Sequence, residues 1–431
     1  MIKVYKEPKQ KDWPSLLARP QFDATPLEAK VREILAAVKA KGDIAVAEYT
    51  LAFDKVAIAN CKLSPASIEA AEKELTPSLK TAIQLAKVNI EVFHQPQIQK
   101  EERIETMPGV WCWRKSIGIE KVGIYIPGGT APLFSTVLML GIPAKMAGCK
   151  EIILCSPPNE KGVIDPAIIY AASLVGVTSI YSMGGVQAIA ALAYGTETVP
   201  KVNKIFGPGN QYVTAAKQMV QQEGVAIDMP AGPSEVCVWA DETSVASFVA
   251  ADLLSQAEHG ADSQVILIAN KIEVVELIQK EIEQQIILLP RKEMASKALM
   301  HSKAIVIENT DEAIAMVNEY APEHLILSID NAAQIAEKII NAGSIFIGNF
   351  SPESVGDYAS GTNHTLPTNG FAKAYSGVSL DSFVKKITFQ QLTERGLTNI
   401  APTVIEMATA EGLQAHSKAV EVRVEWIKSK M

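Results

Sequence analysis

Six histidines occur in the 431 residues: His94, His259, His301, His324, His364 and His416. Imidazole is the side chain best suited to move protons near neutral pH, and also a common metal ligand. His259 closes the segment Leu254-Ser255-Gln256-Ala257-Glu258-His259-Gly260 at a helix end. Gln256 and His259 are three apart, so a helix puts them on one face within reach of a common ligand. A histidine that merely complements the helix C-terminus has the same spacing. Glu323 and His324 follow Ala321-Pro322 and open an apolar run. A carboxylate beside an imidazole at such a junction can turn toward a cleft and supply an acid/base pair, although a surface pair reads the same. Asp357 lies in Ser354-Val355-Gly356-Asp357-Tyr358, beyond a Gly348-Asn349 turn. Glu411 and His416 lie far along the chain in Ala410-Glu411-Gly412-Leu413-Gln414-Ala415-His416. Two histidines and an aspartate make a plausible zinc set, but spacing alone does not assemble groups so scattered.

Three glycine turns, Pro127-Gly128-Gly129, Gly184-Gly185 and Gly207-Pro208-Gly209-Asn210, each separate a strand pattern from a helix pattern. Such turns can bring backbone N–H groups and a helix N-terminus to a phosphate. None matches Gly-x-Gly-x-x-Gly, so the usual dinucleotide fingerprint is absent. Tight turns with only a structural purpose look alike. The five cysteines (Cys61, Cys112, Cys149, Cys155, Cys237) form no Cys-x-x-Cys pair, so neither a disulfide framework nor a thiolate metal site is indicated. Cys112 and Cys149 read as small apolar residues rather than nucleophiles.

The elements that must position these groups follow a repeating pattern. From about residue 120, short apolar runs alternate with helical segments: strands at 122–126, 152–155, 179–183 and 204–206, and helices over 138–146, 166–174, 186–194 and 210–222. A second series places strands at 236–239, 264–268, 304–307, 325–329 and 344–347, with helices between them. Alternation of this kind predicts parallel sheets covered by helices on both faces. The first hundred residues read as mainly helical (26–53 and 65–93), and from about Asp381 the strand pattern is lost, leaving a helical tail.

Hydrophobic residues make up 48% and charged residues 20%, a soluble globular balance. The formal net charge of -8, from 48 acidic and 40 basic side chains without a dense Lys/Arg block, argues against nucleic acid as a partner. Residues 166–196 carry no charge. Ser173, Gly176, Gly184 and Gln187 interrupt them, so they read as buried helix, strand and helix rather than a membrane span. The charged opening lacks the apolar core of a signal peptide, and a cytoplasmic protein without membrane contact is expected.

Several long runs resemble those of the histidinol dehydrogenases: GIYIPGGTAPLFSTVLML (123–140), KIFGPGNQYVTAAK (204–217), IDMPAGPSEV (227–236), DLLSQAEHGADSQVIL (252–267), APEHL (321–325), NAGSIFIGNFSPESVGDYASGTNHTLPT (341–368) and AEGLQAH (410–416). They occur in that family's order along nearly the whole chain. The resemblance implies an α/β fold of two doubly wound, incomplete Rossmann-like domains. It implies an N-terminal arm (1–22), a discontinuous metal and substrate domain (23–124 with 236–380), an NAD-binding domain (125–235) and a helical tail (381–431) reaching a partner subunit. It further implies a homodimer with shared active sites, one Zn²⁺ per subunit and NAD⁺ as oxidant. Gln256, His259, Asp357 and His416 correspond to the zinc ligands, and Glu323 and His324 to the acid/base pair. Ser234 and Glu411 join those six as substrate contacts, while Tyr125, Gln187 and Asn210 correspond to the cofactor contacts.

The expected reaction is the four-electron oxidation of L-histidinol through L-histidinaldehyde to L-histidine. His324 takes the alcohol proton and Glu323 activates water for the aldehyde step. A dehydrogenase of another small amino alcohol, diol or sulfonate alcohol would share this scaffold. A zinc hydrolase would also use a carboxylate-activated water, but would form no NADH. A binding module would not require both Glu323 and His324.

Overall fold

A computed structural model of the chain describes residues 2–20, 25–57, 60–128, 132–230 and 232–430. Gly129 of the first glycine turn and the expected boundary between residues 22 and 23 lie outside the described residues. In chain order the strands are β1 (Lys3–Lys6), β2 (Arg103–Met107), β3 (Val110–Gly118), β4 (Lys121–Tyr125), β5 (Glu151–Ser156), β6 (Ser179–Ser182), β7 (Lys204–Phe206), β8 (Ala226–Ile227), β9 (Glu235–Ala240), β10 (Gln264–Ala269), β11 (Lys303–Val306), β12 (His324–Ser328), β13 (Ser344–Ile347) and β14 (Val384–Leu392). They fall into two compact units, Met1–Gln97 with Ile119–Phe383, and Ile98–Gly118 with Val384–Met431.

The larger unit holds two parallel sheets. One has the order β6-β5-β4-β7-β8 and the other β1-β11-β10-β9-β12-β13. Their central strands are nearly continuous apolar runs because both faces are covered; every residue of β9 and β10 is buried. On one side of the five-stranded sheet the helices Thr25–Lys41 and Asp43–Asp54 pack with Gly185–Tyr194 and Gln211–Gln222. On the other side Pro65–Glu74 and Pro77–His94 pack with Phe134–Met146 and Pro166–Val175. The uncharged stretch 166–196 is therefore helix, strand and helix, and among the described residues no helix is long and apolar enough to cross a membrane.

Three expectations differ from this packing. The helices within 23–124 were grouped with 236–380, yet they cover the five-stranded sheet. Val31, Ile34, Leu35 and Val38 form a helical stripe that buries against the apolar helix Gly185–Tyr194. The expected arm at 1–22 is built into the six-stranded sheet: β1 is its edge strand beside β11, and Trp13, Leu16 and Leu17 enter its core. The tail after residue 381 is not wholly helical, because β14 is a nine-residue strand. Its sequence, VKKITFQQL, is largely exposed and so lacks the apolar run of a buried strand.

Apart from the edge strand β1, each sheet of the larger unit winds outward both ways from a central strand, so its chain order reverses between β4 and β7 and between β9 and β12. At the carboxyl end of β7 the chain turns through Gly207, whose φ of +119° suits glycine alone, and a Cβ there would strike the Tyr125 carbonyl oxygen. The turn is clamped from below. Gly207 N–H donates to Asp228 Oδ2 at 2.8 Å, and the buried Lys217 ammonium donates to the Gly207 carbonyl at 2.8 Å while lying 2.5 Å from Asp228 Oδ1. Buried charges of opposite sign are tolerated in such a mutually satisfied arrangement.

The smaller unit pairs β14 with β3 and β3 with β2, all antiparallel, and adds two helices, Glu394–Ala410 and Gln414–Ser429. Trp113 stacks on Phe389 at 5.3 Å and Arg103 lies over the Trp113 ring at 4.4 Å. Thr393 caps the first of the two helices by accepting from Gly396 N–H at 3.0 Å.

Candidate active site

A cavity of about 480 Å³ lies in the larger unit, within the size range of small-molecule sites. Pro127 and Gly207 to Asn210, beyond the carboxyl ends of β4 and β7, line one part of it. Ser234, Glu323 and His324, at the amino ends of β9 and β12, line another. Open α/β sheets commonly bind ligands beyond their carboxyl strand ends. Only the five-stranded sheet obeys that rule here; the six-stranded sheet contributes its opposite end. The helix Glu353–Tyr358 carries Asp357 to the side chain of His324 at the amino end of β12.

The Glu323-His324 pair is delivered by a sharp exit from the helix Thr310–Tyr320. Ala321 adopts φ +51°, an uncommon conformation for a residue with a side chain. β12 then starts at His324, one residue before the expected start. Both side chains are buried. Glu323 Oε2 accepts from Glu235 N–H at 3.0 Å, and the Glu235 carbonyl lies 3.3 Å from His324 Nδ1. A single backbone residue of β9 thus touches both members of the pair. Glu235 is itself anchored through its side chain: Arg19 Nη2 donates to Oε1 at 2.7 Å and to the Tyr320 carbonyl at 2.6 Å.

Around the imidazole the charges are dense. Glu323 Oε2 and Glu353 Oε1 each lie 3.7 Å from Nδ1, and Asp357 Oδ1 lies 3.6 Å from Nε2. Burial opposes a charge on His324, yet Glu353, Glu323 and Asp357 raise its pKa to about 10. Burial pushes the Glu323 carboxyl up to about 7 and that of Glu353 up to about 8, in each case against the pull of His324. Burial also acts to raise Asp357, but the hydrogen bond and charge of His324 hold it below the usual carboxylate range. Groups able to give and take protons are thus gathered in one desolvated place.

The expected metal ligands come together in part. Gln256 is wholly buried near the end of the helix Ala246–Ala257, and neither its amide oxygen nor its nitrogen has a hydrogen-bond partner. Leaving such groups unmet costs about 1–3 kcal/mol each, so the site fits an electrophile at the amide oxygen. His259 sits one turn on, and both residues line the cavity with Asp357. Carbonyl, imidazole and carboxylate form a donor set that suits Zn²⁺. A second set overlaps it at Asp357: donor atoms of His324, Glu353 and Asp357 lie within 4.8 Å of one another. His416 and Glu411 belong to the smaller unit, where both are exposed around the turn between its two helices.

Of the expected cofactor contacts, Asn210 lines the cavity. Its Oδ1 caps the helix Gln211–Gln222 by accepting from Tyr212 and Val213 N–H at 3.1 Å, which leaves its amide NH₂ to donate elsewhere. Tyr125 closes β4 and its hydroxyl accepts from Gly185 N–H at 3.1 Å, while Gln187 is buried with an unpartnered Oε1. All five cysteines are free thiols, and Cys149, pushed up to about 11 by burial, is not activated. Sequence reasoning missed Glu353 and His364. His364 Nδ1 lies 2.7 Å from the Asp357 carbonyl and Nε2 lies 3.0 Å from Thr136 Oγ1. The only local signal for Glu353 is its i,i+4 spacing from Asp357.

A doubly wound frame with a buried carboxylate-imidazole pair and a metal-capable wall places the chain among α/β enzymes that move protons in a cavity lined by ionisable side chains. Comparison with known proteins narrows this. Residues 17–424 match the family model described as histidinol dehydrogenase. The histidinol dehydrogenase of Bacteroides thetaiotaomicron is 57% identical over 428 residues, covering 99% of this chain and 100% of that protein. That of Vibrio cholerae is 50% identical, covering 95% of each chain. The crystal structure of histidinol dehydrogenase from Elizabethkingia anophelis superposes with a TM-score of 0.97 at 55% identity, covering 99% of both chains. The chain belongs to the histidinol dehydrogenase family and is an oxidoreductase of the final steps of histidine biosynthesis.

Among the described residues, no ion-pair partner meets one buried carboxylate beside this site. Asp252, one helical turn before Gln256, is 8% exposed, and burial alone pushes it up to about 7. A carboxyl raised on folding favours its protonated form in the native state, so its cost is absent below the unfolded value near 4 and complete above pH 7. Asp252→Asn should therefore stabilise the fold at pH 8, by roughly 2–4 kcal/mol at most, and change it little at pH 4. Urea unfolding at the two pH values measures this; an equal effect at both would show that charge burial is not the cause.

Proposed function

We propose that the chain oxidises L-histidinol in two steps, through enclosed L-histidinaldehyde, to L-histidine, with NAD⁺ as hydride acceptor and Zn²⁺ as a structural part of the site. The observation that carries the reading is the convergence of Ser234, Gln256, His259, Glu323, His324 and Asp357 on one cavity. Gln256, His259 and Asp357 would hold the zinc, with His416 as the fourth ligand. A divalent cation there would orient the substrate's imidazole and amine and, beside Asp357, lower the proton affinity of His324. Bound at Tyr125, Gln187 and Asn210, NAD⁺ would supply the oxidising equivalents of both steps.

The chain's own residues do the rest. Nδ1 of His324 faces the Glu235 carbonyl, so that nitrogen carries the proton and Nε2 is left to accept one from the alcohol. The Glu323 carboxyl, held near 7 by burial, is poised to take a proton from the water that attacks the aldehyde. Keeping the aldehyde bound in the cavity between the steps would prevent its escape. Ser234 and Glu411 complete the substrate contacts. The enzyme works in the cytoplasm as a homodimer.

Two moles of NADH per mole of histidinol, followed at 340 nm, are expected; one would make the aldehyde the product, and none would overturn the reading. Glu323→Gln should retain the first hydride transfer yet lose oxidation of supplied histidinaldehyde by about a hundredfold or more. His324→Asn should hurt the alcohol step more. Equal losses in both half-reactions for both variants would remove the division of labour.

Dialysis against a chelator should abolish turnover while circular dichroism still reports a folded protein, and added Zn²⁺ should restore it. Full activity of verified metal-free protein would sink the metal assignment.

His416 and Glu411 are exposed in the smaller unit, as groups offered to a second chain would be. Each site is proposed to take them from the partner, as twofold symmetry permits. Asp357→Ala and His416→Ala proteins, each inactive, should complement when subunits exchange. Random pairing makes about half the dimers mixed, so about a quarter of all sites regain activity. No recovery despite proven exchange would mean the tail serves its own chain.

A further inference from the structure

The short helix Glu353–Tyr358 presents two carboxylates one turn apart, and they meet opposite nitrogens of the same imidazole. Asp357 Oδ1 lies 3.6 Å from His324 Nε2, and Glu353 Oε1 lies 3.7 Å from Nδ1. Residues i and i+4 share a helical face, which is what lets one turn of helix straddle the ring. The two carboxylates differ in setting. Both line the cavity that holds Gln256 and His259, but the side chain of Glu353 is 2% exposed against 17% for Asp357, and its Oε2 is buried without a partner. Near Nδ1 also lie the Glu235 carbonyl at 3.3 Å and Glu323 Oε2 at 3.7 Å, and that Glu323 oxygen is already engaged by Glu235 N–H.

We infer that Glu353 is a positioning residue for His324: while the Glu235 carbonyl faces Nδ1–H, the Glu353 carboxylate beside the same nitrogen stabilises the cation formed when Nε2 accepts the alcohol proton. A ring that gains charge at one nitrogen gains most from an anion fixed at the other, and an anion built into the fold needs no reorganisation when the proton moves. Glu353 is not among the zinc donors proposed above, Gln256, His259, Asp357 and His416. It acts only through His324, and the inference rests on the acid/base assignment made above for that residue.

The test is a double-mutant cycle read on separate half-reactions. Glu353→Gln keeps the shape and removes the charge. It should lower kcat for histidinol about tenfold or more, change KM less than about threefold, leave oxidation of supplied histidinaldehyde within about threefold, and keep the zinc content of wild type. In a His324→Asn background the same change should cost almost nothing further, an outcome a merely structural role would not produce. Glu353→Asp retains the charge at a longer reach and should recover part of the loss; it carries the whole comparison if the Gln variant does not fold. Additive losses in the His324→Asn background, equal losses in both half-reactions, or loss of zinc would each overturn the assignment. Failure of the wild-type protein to form NADH from histidinol would instead strike at the reading it rests on.

Discussion

Glu323, His324, Glu353 and Asp357 are four ionisable groups largely withheld from water at the amino end of one parallel sheet. Isolated, any of them would cost several kcal/mol to bury as a charge. Together they are tolerable because one imidazole faces three carboxylates within 3.7 Å. Much of the surrounding structure can be understood as what keeps that set dry and in register. β12 must begin at His324, so Ala321 accepts a left-handed backbone; the helix Glu353–Tyr358 must pass close, so Gly356 lies where a Cβ would meet the Phe346 ring.

Support continues outward. Glu235 contacts the pair through its backbone, and its own carboxylate is held by Arg19, which also lies over the Tyr320 ring at 4.2 Å. Tyr320 in turn donates to Gln264 Oε1 at 3.0 Å. The first twenty residues thus reach the site through a chain of buried polar contacts, not as a loose appendage. On the other wall, Lys217 and Asp228 do for the Gly207 turn what Arg19 does for β9: a buried, fully engaged ion pair fixes a backbone segment that lines the cavity.

The two sheets of the larger unit meet the cavity with opposite ends. Glycine turns at carboxyl strand ends supply flat backbone surface, suited to a large planar ligand approaching closely. Amino strand ends supply the ionisable side chains instead. At the Gly207 turn backbone lines the cavity, and at the amino strand ends ionisable side chains do.

Sequence alone determined most of the buried frame. Strands such as Lys204–Phe206 and Ser344–Ile347 were legible to the residue because each is a short apolar run bounded by turns. The Gln256-His259 spacing and the Glu323-His324 pair were visible as chemistry, and the family runs named their roles. Other features were decided only by tertiary structure. β2, β3 and β14 are largely exposed, so no apolar run announces them. The helices before residue 95 show a stripe to bury but not which sheet will receive it. Glu353 carries no local mark beyond its i,i+4 spacing from Asp357, and a glutamate opening a short helix is usually a solvated group. Whether a carboxylate is solvent-facing or sealed against an imidazole depends on residues hundreds of positions away, and burial of that kind has no period along the chain.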